Sequence, residues 1–235
     1  MPADIFAFRD SYRLQYQTAR YSGVVHFAVT TGSCLLAMAV SIYFLEDVKP
    51  LEWLVIPFTF LYANFSEYMG HKGPLHHRKK KLDKVFQRHT LEHHRFFTAQ
   101  EMTAKDHHDF KAVLFPSYLL AFFLVVFALP VMGIIWWLWS QNAALLFFAT
   151  AFFYFLNYEW LHLTYHLPDG HPIARLPIIR NLRQHHRTHH DPALMTRYNF
   201  NISYPIFDWL FGTTFKRSEV SDSRSEVAQT IDHGQ

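Results

Sequence analysis

The chain has one cysteine, Cys34, and only eight glycines among its 235 residues. A single thiol excludes an intramolecular disulfide, and with no Cys-x-x-Cys pair there is no structural zinc site of that type and no iron–sulfur cluster. Cys34 lies inside an apolar run and reads as a small buried hydrophobe. The glycines nowhere form Gly-x-Gly-x-x-Gly, so there is no dinucleotide fingerprint, and no additional domain holding haem is expected. The Glu-x-x-His pairs of carboxylate-bridged di-iron bundles do not recur. The opening MPADIFAFRDSYRLQ lacks the basic start, apolar middle and small-residue cleavage site of a signal peptide, so it is expected to stay in the mature protein.

What is present is of two kinds. Half of the residues are hydrophobic and 18% are aromatic, with 24 Phe, yet mean hydropathy is near zero at -0.03 because segments crowded with Lys, Arg and His separate the apolar runs. Four of these runs have the length to cross about 30 Å of hydrocarbon: Val24 to Leu45, Leu51 to Met69, a third within Val113 to Trp139, and Ala143 to Leu161. EDVKP joins the first two and SQN the last two, so the expected fold is all-α, an integral membrane protein with about four transmembrane helices in two hairpins. Pro130 and Gly133 are expected to kink the third span or to split it into two re-entrant pieces.

Of the 22 Lys and Arg residues, only Lys49 falls on the side of the EDVKP and SQN connections. The positive-inside tendency then places both termini and the large middle segment in the cytoplasm. The run Arg78 to Lys81 reads as a topology signal and headgroup contact, and no nucleic-acid partner is expected. Beyond Lys216 the polar sequence at 217–235 reads as a flexible tail of a single domain spanning 1–235.

The 17 histidines agree with this map. All but His26 and His233 lie between His71 and His190, at or beyond the cytoplasmic ends of the spans, provided the chain crosses an even number of times between Lys111 and Leu161. They fall in HKGPLHH (His71 to His77), HTLEHH (His89 to His94), HLTYH (His162 to His166) and HHRTHH (His185 to His190). At helical spacing His89 and His93, His162 and His166, and His186 with His189 and His190 each aim at one point. Neutral imidazole ligates zinc, iron, copper and nickel, and a set too large for one four-coordinate ion suggests two metals under a helical cap. Glu92, Glu159 and Asp191 are candidate acceptors for the second nitrogens of the ligating rings.

With these boxes in this order, followed by NFNISYPIFDWLFGT, the sequence resembles the fatty acid hydroxylase superfamily of membrane enzymes, which includes fatty acyl 2-hydroxylases and sterol desaturases. The resemblance covers about Glu67 to Phe215. It implies metal ligands at His71, His76, His89, His93, His94, His162, His166, His186, His189 and His190. One departure falls at His89: HTLEHH has three residues between its first two histidines where acyl hydroxylases more often have two. His77 and His185 are expected beside the ligands or at the surface, His107 and His108 at the membrane interface, and His171 in a loop.

The resemblance implies two iron ions, replaceable by zinc on purification, and dioxygen as co-substrate. A lipid C–H bond has neither an acidic proton nor a leaving group, so acid–base chemistry cannot attack it, and redox-active iron supplies what zinc cannot. The expected activity is oxygen-dependent hydroxylation of a fatty acyl chain, with sterol or other lipid desaturation as the alternative. A zinc-dependent hydrolase and a non-catalytic metal-binding or transport protein are the readings from other classes. Against hydrolysis there is no nucleophile box, and against transport the histidines lie outside the bilayer. The expected partners are a membrane lipid as substrate and an external electron donor, a cytochrome or ferredoxin, docked on the basic face. Phe147, Phe148, Phe152, Phe153 and Phe155 are candidates to line a slot for the lipid tail, set against the plainer expectation that they face lipid or other helices.

Overall fold

The computed structural model describes residues 4–16 and 20–216, so the expected tail at 217–235 lies outside the described residues. Among the described residues every regular element is helical. Helix α1 (Ile5–Tyr16) precedes α2 (Gly23–Tyr43), whose first turn is capped by the Ser22 hydroxyl accepting from the Val25 amide. A 3-10 turn, Glu52–Leu54, leads into α3 (Val55–Gly70). Two π-type turns follow: His71–Leu75, broken at Gly73, and Gln87–His93, flanked by the short α4 (Asp83–Phe86) and α5 (His94–Phe96). Then come α6 (Phe110–Val113), α7 (Ser117–Phe123), a π turn at Leu124–Ala128 and α8 (Leu129–Leu138). The long α9 (Gln141–Tyr165) leads to α10 (Pro177–His189) and α11 (Ile206–Leu210).

Three stretches are long and apolar enough to cross a membrane: Gly23–Tyr43, His107–Leu138 and Gln141–Tyr165. The second expected span is shorter than these. The 16 residues of α3 rise about 24 Å. In the third span the helical run continues through Pro130. That proline falls in the first turn of α8, and the π turn just before it gives the chain room for a ring that has no N–H to donate.

Helix α9 is the axis of the bundle. Its small and aromatic residues pack on α2, α3 and α8, with Ala143, Leu146, Phe147 and Ala151 in one buried cluster and Phe152 and Leu156 against Cys34 and Ala128 in another. The outward faces of the long helices carry Leu36, Val40, Phe58, Tyr62, Val125, Phe127 and Ile134 exposed. So broad an apolar surface suits hydrocarbon and not water. Trp53, Trp136, Trp137 and Trp139 are exposed at one end of the bundle, as in an interfacial aromatic belt. There the Glu46 amide donates to Asn142 Oδ1 at 3.1 Å and the Ser140 hydroxyl donates to Glu52, tying the two connecting loops together.

The histidines collect at the other end. The Ala112 carbonyl accepts from His93 Nδ1 at 2.9 Å, and His162 Nε2 lies 3.1 Å from His93 Nε2. Both ends of the excursion through α7, α8 and α9 therefore return to one place. The cations of α1 serve this end as well: Arg9 donates to the carbonyls of Phe96 and Glu101, and Arg13 pairs with the buried Asp109 at 2.8 Å. Gly23 lets α2 approach this layer, because a Cβ there would lie 1.8 Å from the His107 carbonyl oxygen.

Candidate metal centre

Nine of the ten expected ligands form two compact, buried groups: His93, His162, His166, His186 and His190 in one, and His76, His89, His94 and His189 in the other. Within each group one nitrogen per ring lies within 4.8 Å of all the others. The tenth, His71, is buried beside the second group, its ring centre 4.9 Å from that of His89 and 5.4 Å from that of His189. The groups adjoin, with the rings of His94 and His190 stacked at 4.2 Å.

The structure redistributes the sequence pairs. His89 and His93 do not share a point: the π turn at Gln87–His93 advances more residues per turn than an α-helix, so they fall in different groups. His93 and His94, adjacent in the chain, are also divided. On α10 the pair one α-turn apart, His186 and His190, stays together while His189 joins the other group. His162 and His166, at the end of α9, remain together as expected. The irregular gap at His89 is therefore accommodated by the wider turn, and His89 is as deeply placed as its neighbours.

Hydrogen bonding fixes the rings. Nδ1–H donates to the carbonyl of Glu67 from His71, of Ala112 from His93, of Met102 from His166, of Tyr198 from His189 and of Phe97 from His190. In His76, Nδ1 lies 3.2 Å from the Thr90 hydroxyl, whose own proton goes to the Leu75 carbonyl. A carbonyl can only accept, so Nδ1 carries the proton and Nε2 of each neutral ring is a bare lone pair. These lone pairs converge. Nε2 of His76 lies 2.9 Å from Nε2 of His189, and those of His190 and His166 lie 2.9 Å and 3.2 Å from Nε2 of His186, whose Nδ1 is buried without a hydrogen-bond partner. Between His76 and His189, two acceptors face each other with no proton to share, and a cation between them removes the conflict. Ligand nitrogens bonded at about 2.1 Å to one metal stand about 3.0–3.4 Å apart, so the donor set fits two metal ions. His71 Nε2, buried without a partner, is a further donor on the side of the second group.

The acceptors expected at Glu92, Glu159 and Asp191 are otherwise engaged. Glu92 pairs with Arg88 at 2.7 Å, Glu159 accepts from the Phe115 amide, and Asp191 accepts from the Ala193 amide. Backbone carbonyls take their place because a helix-end or loop carbonyl is positioned by the fold itself and adds no buried charge. Sequence gives no sign of them. Thr90, inside HTLEHH, was the one side chain among these acceptors that the box itself contained.

The segment after the last box holds this frame in place. The buried Asp208 carboxylate accepts from the amides of Phe200 and Asn201 and from the Thr213 hydroxyl, while Glu67 accepts from the amides of Ile202 and Ser203 and from the Tyr154 hydroxyl. Asn199, with φ of 58°, donates to the His185 carbonyl and positions the Tyr198 carbonyl beneath His189. His185 lies 3.3 Å from Asp208, His77 is exposed, and His107, His108 and His171 lie outside both groups.

An apolar cavity of about 130 Å³ opens beside the rings, lined by His89, His93 and His162 with Leu75, Val113 and Leu119. Tyr158 forms part of its wall, stacked on Phe115 at 5.3 Å, and lies 5.7 Å from His162 and 6.3 Å from His71. The aromatic residues of α9 named above do not line it. Phe148, Phe152 and Phe155 pack against neighbouring helices, Phe153 is exposed, and Phe147 lines a separate crevice within the apolar part of the bundle.

Burial holds the imidazoles neutral. It lowers the pKa of His71 to about 4, of His190 to about 3 and of His76 to about 2, and those of His89, His94, His186 and His189 well below the usual 6.5. Above pH 6.5 the rings are neutral both folded and unfolded. Between 6.5 and these lowered values the unfolded chain binds more protons, so stability is lost as the pH falls. Metal-free protein in detergent should therefore show a constant unfolding midpoint from pH 8 to 7 and a steep decline below about 6.5. A midpoint flat to pH 5 would contradict this.

A family model described as fatty acid hydroxylase matches residues 55–213, an interval containing all ten histidines. Among curated proteins none matches the chain. A solved structure titled "Full length scs7p (only hydroxylase domain visible)" has a similar fold, with a TM-score of 0.54 at 18% identity over 81% of this chain and 67% of that one. With its histidine boxes folded into two adjoining donor groups, the chain belongs to the fatty acid hydroxylase family.

Proposed function

We propose that the protein is an oxygen-dependent di-iron lipid oxidase that hydroxylates an unactivated C–H bond of a fatty acyl chain. The observation that carries this reading is the pair of converging Nε2 groups beside an apolar cavity. His93, His162, His166, His186 and His190 would hold one ion, and His76, His89, His94 and His189, with His71 at hand, the other. Two irons so placed supply the oxidising power that the side chains of the protein lack. The chain's own contribution is positional. Carbonyls fix the rings of His71, His93, His166, His189 and His190 by their Nδ1–H, burial keeps the imidazoles unprotonated, and Leu75, Val113 and Leu119 make the space beside them apolar.

In the same reading the bundle crosses the bilayer four times, α3 crossing together with the Glu52–Leu54 turn, with both termini and the histidine end cytoplasmic. The cation distribution and the tryptophan belt at the opposite end support this. Electrons come from an acidic carrier, a cytochrome or ferredoxin, on the basic face that includes the exposed run Arg78 to Lys81.

The test combines metal analysis of gently extracted protein with lipid profiling of cells expressing wild type and His189→Ala. The expected result is two irons per chain and a hydroxylated acyl lipid that disappears in the variant. An unsaturated product would replace hydroxylation by desaturation. Activity that persists without oxygen would sink the oxidase reading, and turnover with NADPH alone would remove the external carrier. Zinc in the preparation counts neither way, because imidazole sites take zinc once iron is lost.

A further inference from the structure

A second, more open cavity of about 700 Å³ adjoins the apolar one, and Arg88, Leu114, Pro116 and Tyr118 line both. One side of its mouth is apolar: Val25 and Val29 of α2 and Tyr118 of α7 are exposed on stretches long enough to span a membrane. The other side carries Arg20, Arg88 and Lys111 against a single carboxylate, Glu92. Arg88 pairs with Glu92 at 2.7 Å and also donates to the Tyr12 hydroxyl at 2.6 Å. The excess positive charge thus rests on Arg20 and Lys111. Lys111 is steadied by the Tyr16 carbonyl and lies 5.1 Å from the centre of the Tyr21 ring, while α2 begins at the same wall with the positive end of its dipole. An apolar rim beside a cationic wall, continuous with an apolar cavity at the histidines, matches an amphiphile with an anionic head.

We propose that the protein selects acyl lipids with a negatively charged head, carboxylate or phosphate, held near Arg20 and Lys111 while the tail passes Leu114 and Pro116 to reach His89, His93 and His162. A neutral head, as on a sterol, would leave these cations without a counter-charge. The inference rests on the lipid-hydroxylase reading but is tested by binding alone. Metal-loaded protein in a neutral detergent at pH 8 is titrated with the fluorescent fatty acid cis-parinaric acid and, separately, with its methyl ester.

The acid should bind at least about fivefold tighter than the ester, the effect of roughly one basic residue. R20Q/K111Q, checked for retained helicity and metal, should lose this preference while its ester affinity is unchanged. Competition identifies the head: displacement by oleate marks a carboxylate site and displacement by phosphatidic acid a phosphate site. Equal affinity of wild type for acid and ester overturns the proposal, as does displacement by neutral dioleoylglycerol as effective as by either anion. If the variant does not fold, the wild-type comparison still decides. Selective acid binding without any lipid oxidation would sink the proposed function and leave this site standing.

Discussion

Alanine at both His93 and His94 should strip the protein of both metal ions, whereas alanine at both His89 and His94 should leave one. The two double variants remove the same number of imidazoles from the same box. They differ because His93 belongs to one donor group while His89 and His94 belong to the other. Turnover should fall at least about 100-fold in both, since even partners outside the ligand set cost 10–100-fold at metal sites. Metal content is the discriminating measurement: near zero per chain in the first variant and about one in the second. Equal losses would mean that the groups do not act as separate sites, and the division made by the π turn at Gln87–His93 would have no functional meaning. The spacing of the box cannot give this result by itself, because on a regular helix His89 and His93 share a face.

Asp208→Ala should strongly destabilise the protein. The carboxylate is fully buried and accepts from the Phe200 amide at 2.9 Å, the Asn201 amide at 2.7 Å and the Thr213 hydroxyl at 2.7 Å. Alanine leaves these buried donors unpaired, at about 1–3 kcal/mol each and together about 3–5 kcal/mol once partial relaxation is allowed. In a protein of this size that lowers the thermal midpoint by on the order of 10 °C. The segment it anchors carries the Tyr198 carbonyl that orients His189, so metal retention should weaken too. Asp208→Asn keeps one acceptor oxygen and should fall between the two. Thermal unfolding in detergent, followed by circular dichroism, checks the first effect, and a midpoint within about 2 °C of wild type would show that Asp208 does not hold this segment.

Much of the site was legible before any coordinates. All ten proposed ligands came from the four boxes, and the structure gathers them at one end of the bundle. The reason is that ligating chemistry resides in residue type, and the imidazoles are concentrated in four short boxes of the sequence. The helices were legible for a related reason. Apolar runs near the membrane thickness bracket α2 and α9 to within a few residues of their observed bounds. At Pro130 the sequence did not show that the run stays helical, because that depends on the π turn before it, which the apolar sequence Leu124–Ala128 does not mark.

The partition of the donors was not legible. It depends on the local rise and twist of the backbone at Gln87–His93, and a wider or tighter turn sends a ring to a different donor group. The ring-orienting acceptors were missed for a deeper reason. They are carbonyls, which every residue possesses, and only the approach of Ala112, Met102 and Phe97 to particular rings makes them specific. The sequence by itself determined which side chains can act as ligands and which stretches are apolar enough to span a membrane, through residue types and the lengths of apolar runs. Tertiary structure decided which histidines face one another, what fixes their protons and which cavity reaches them, because each of these is a distance between segments far apart in the chain.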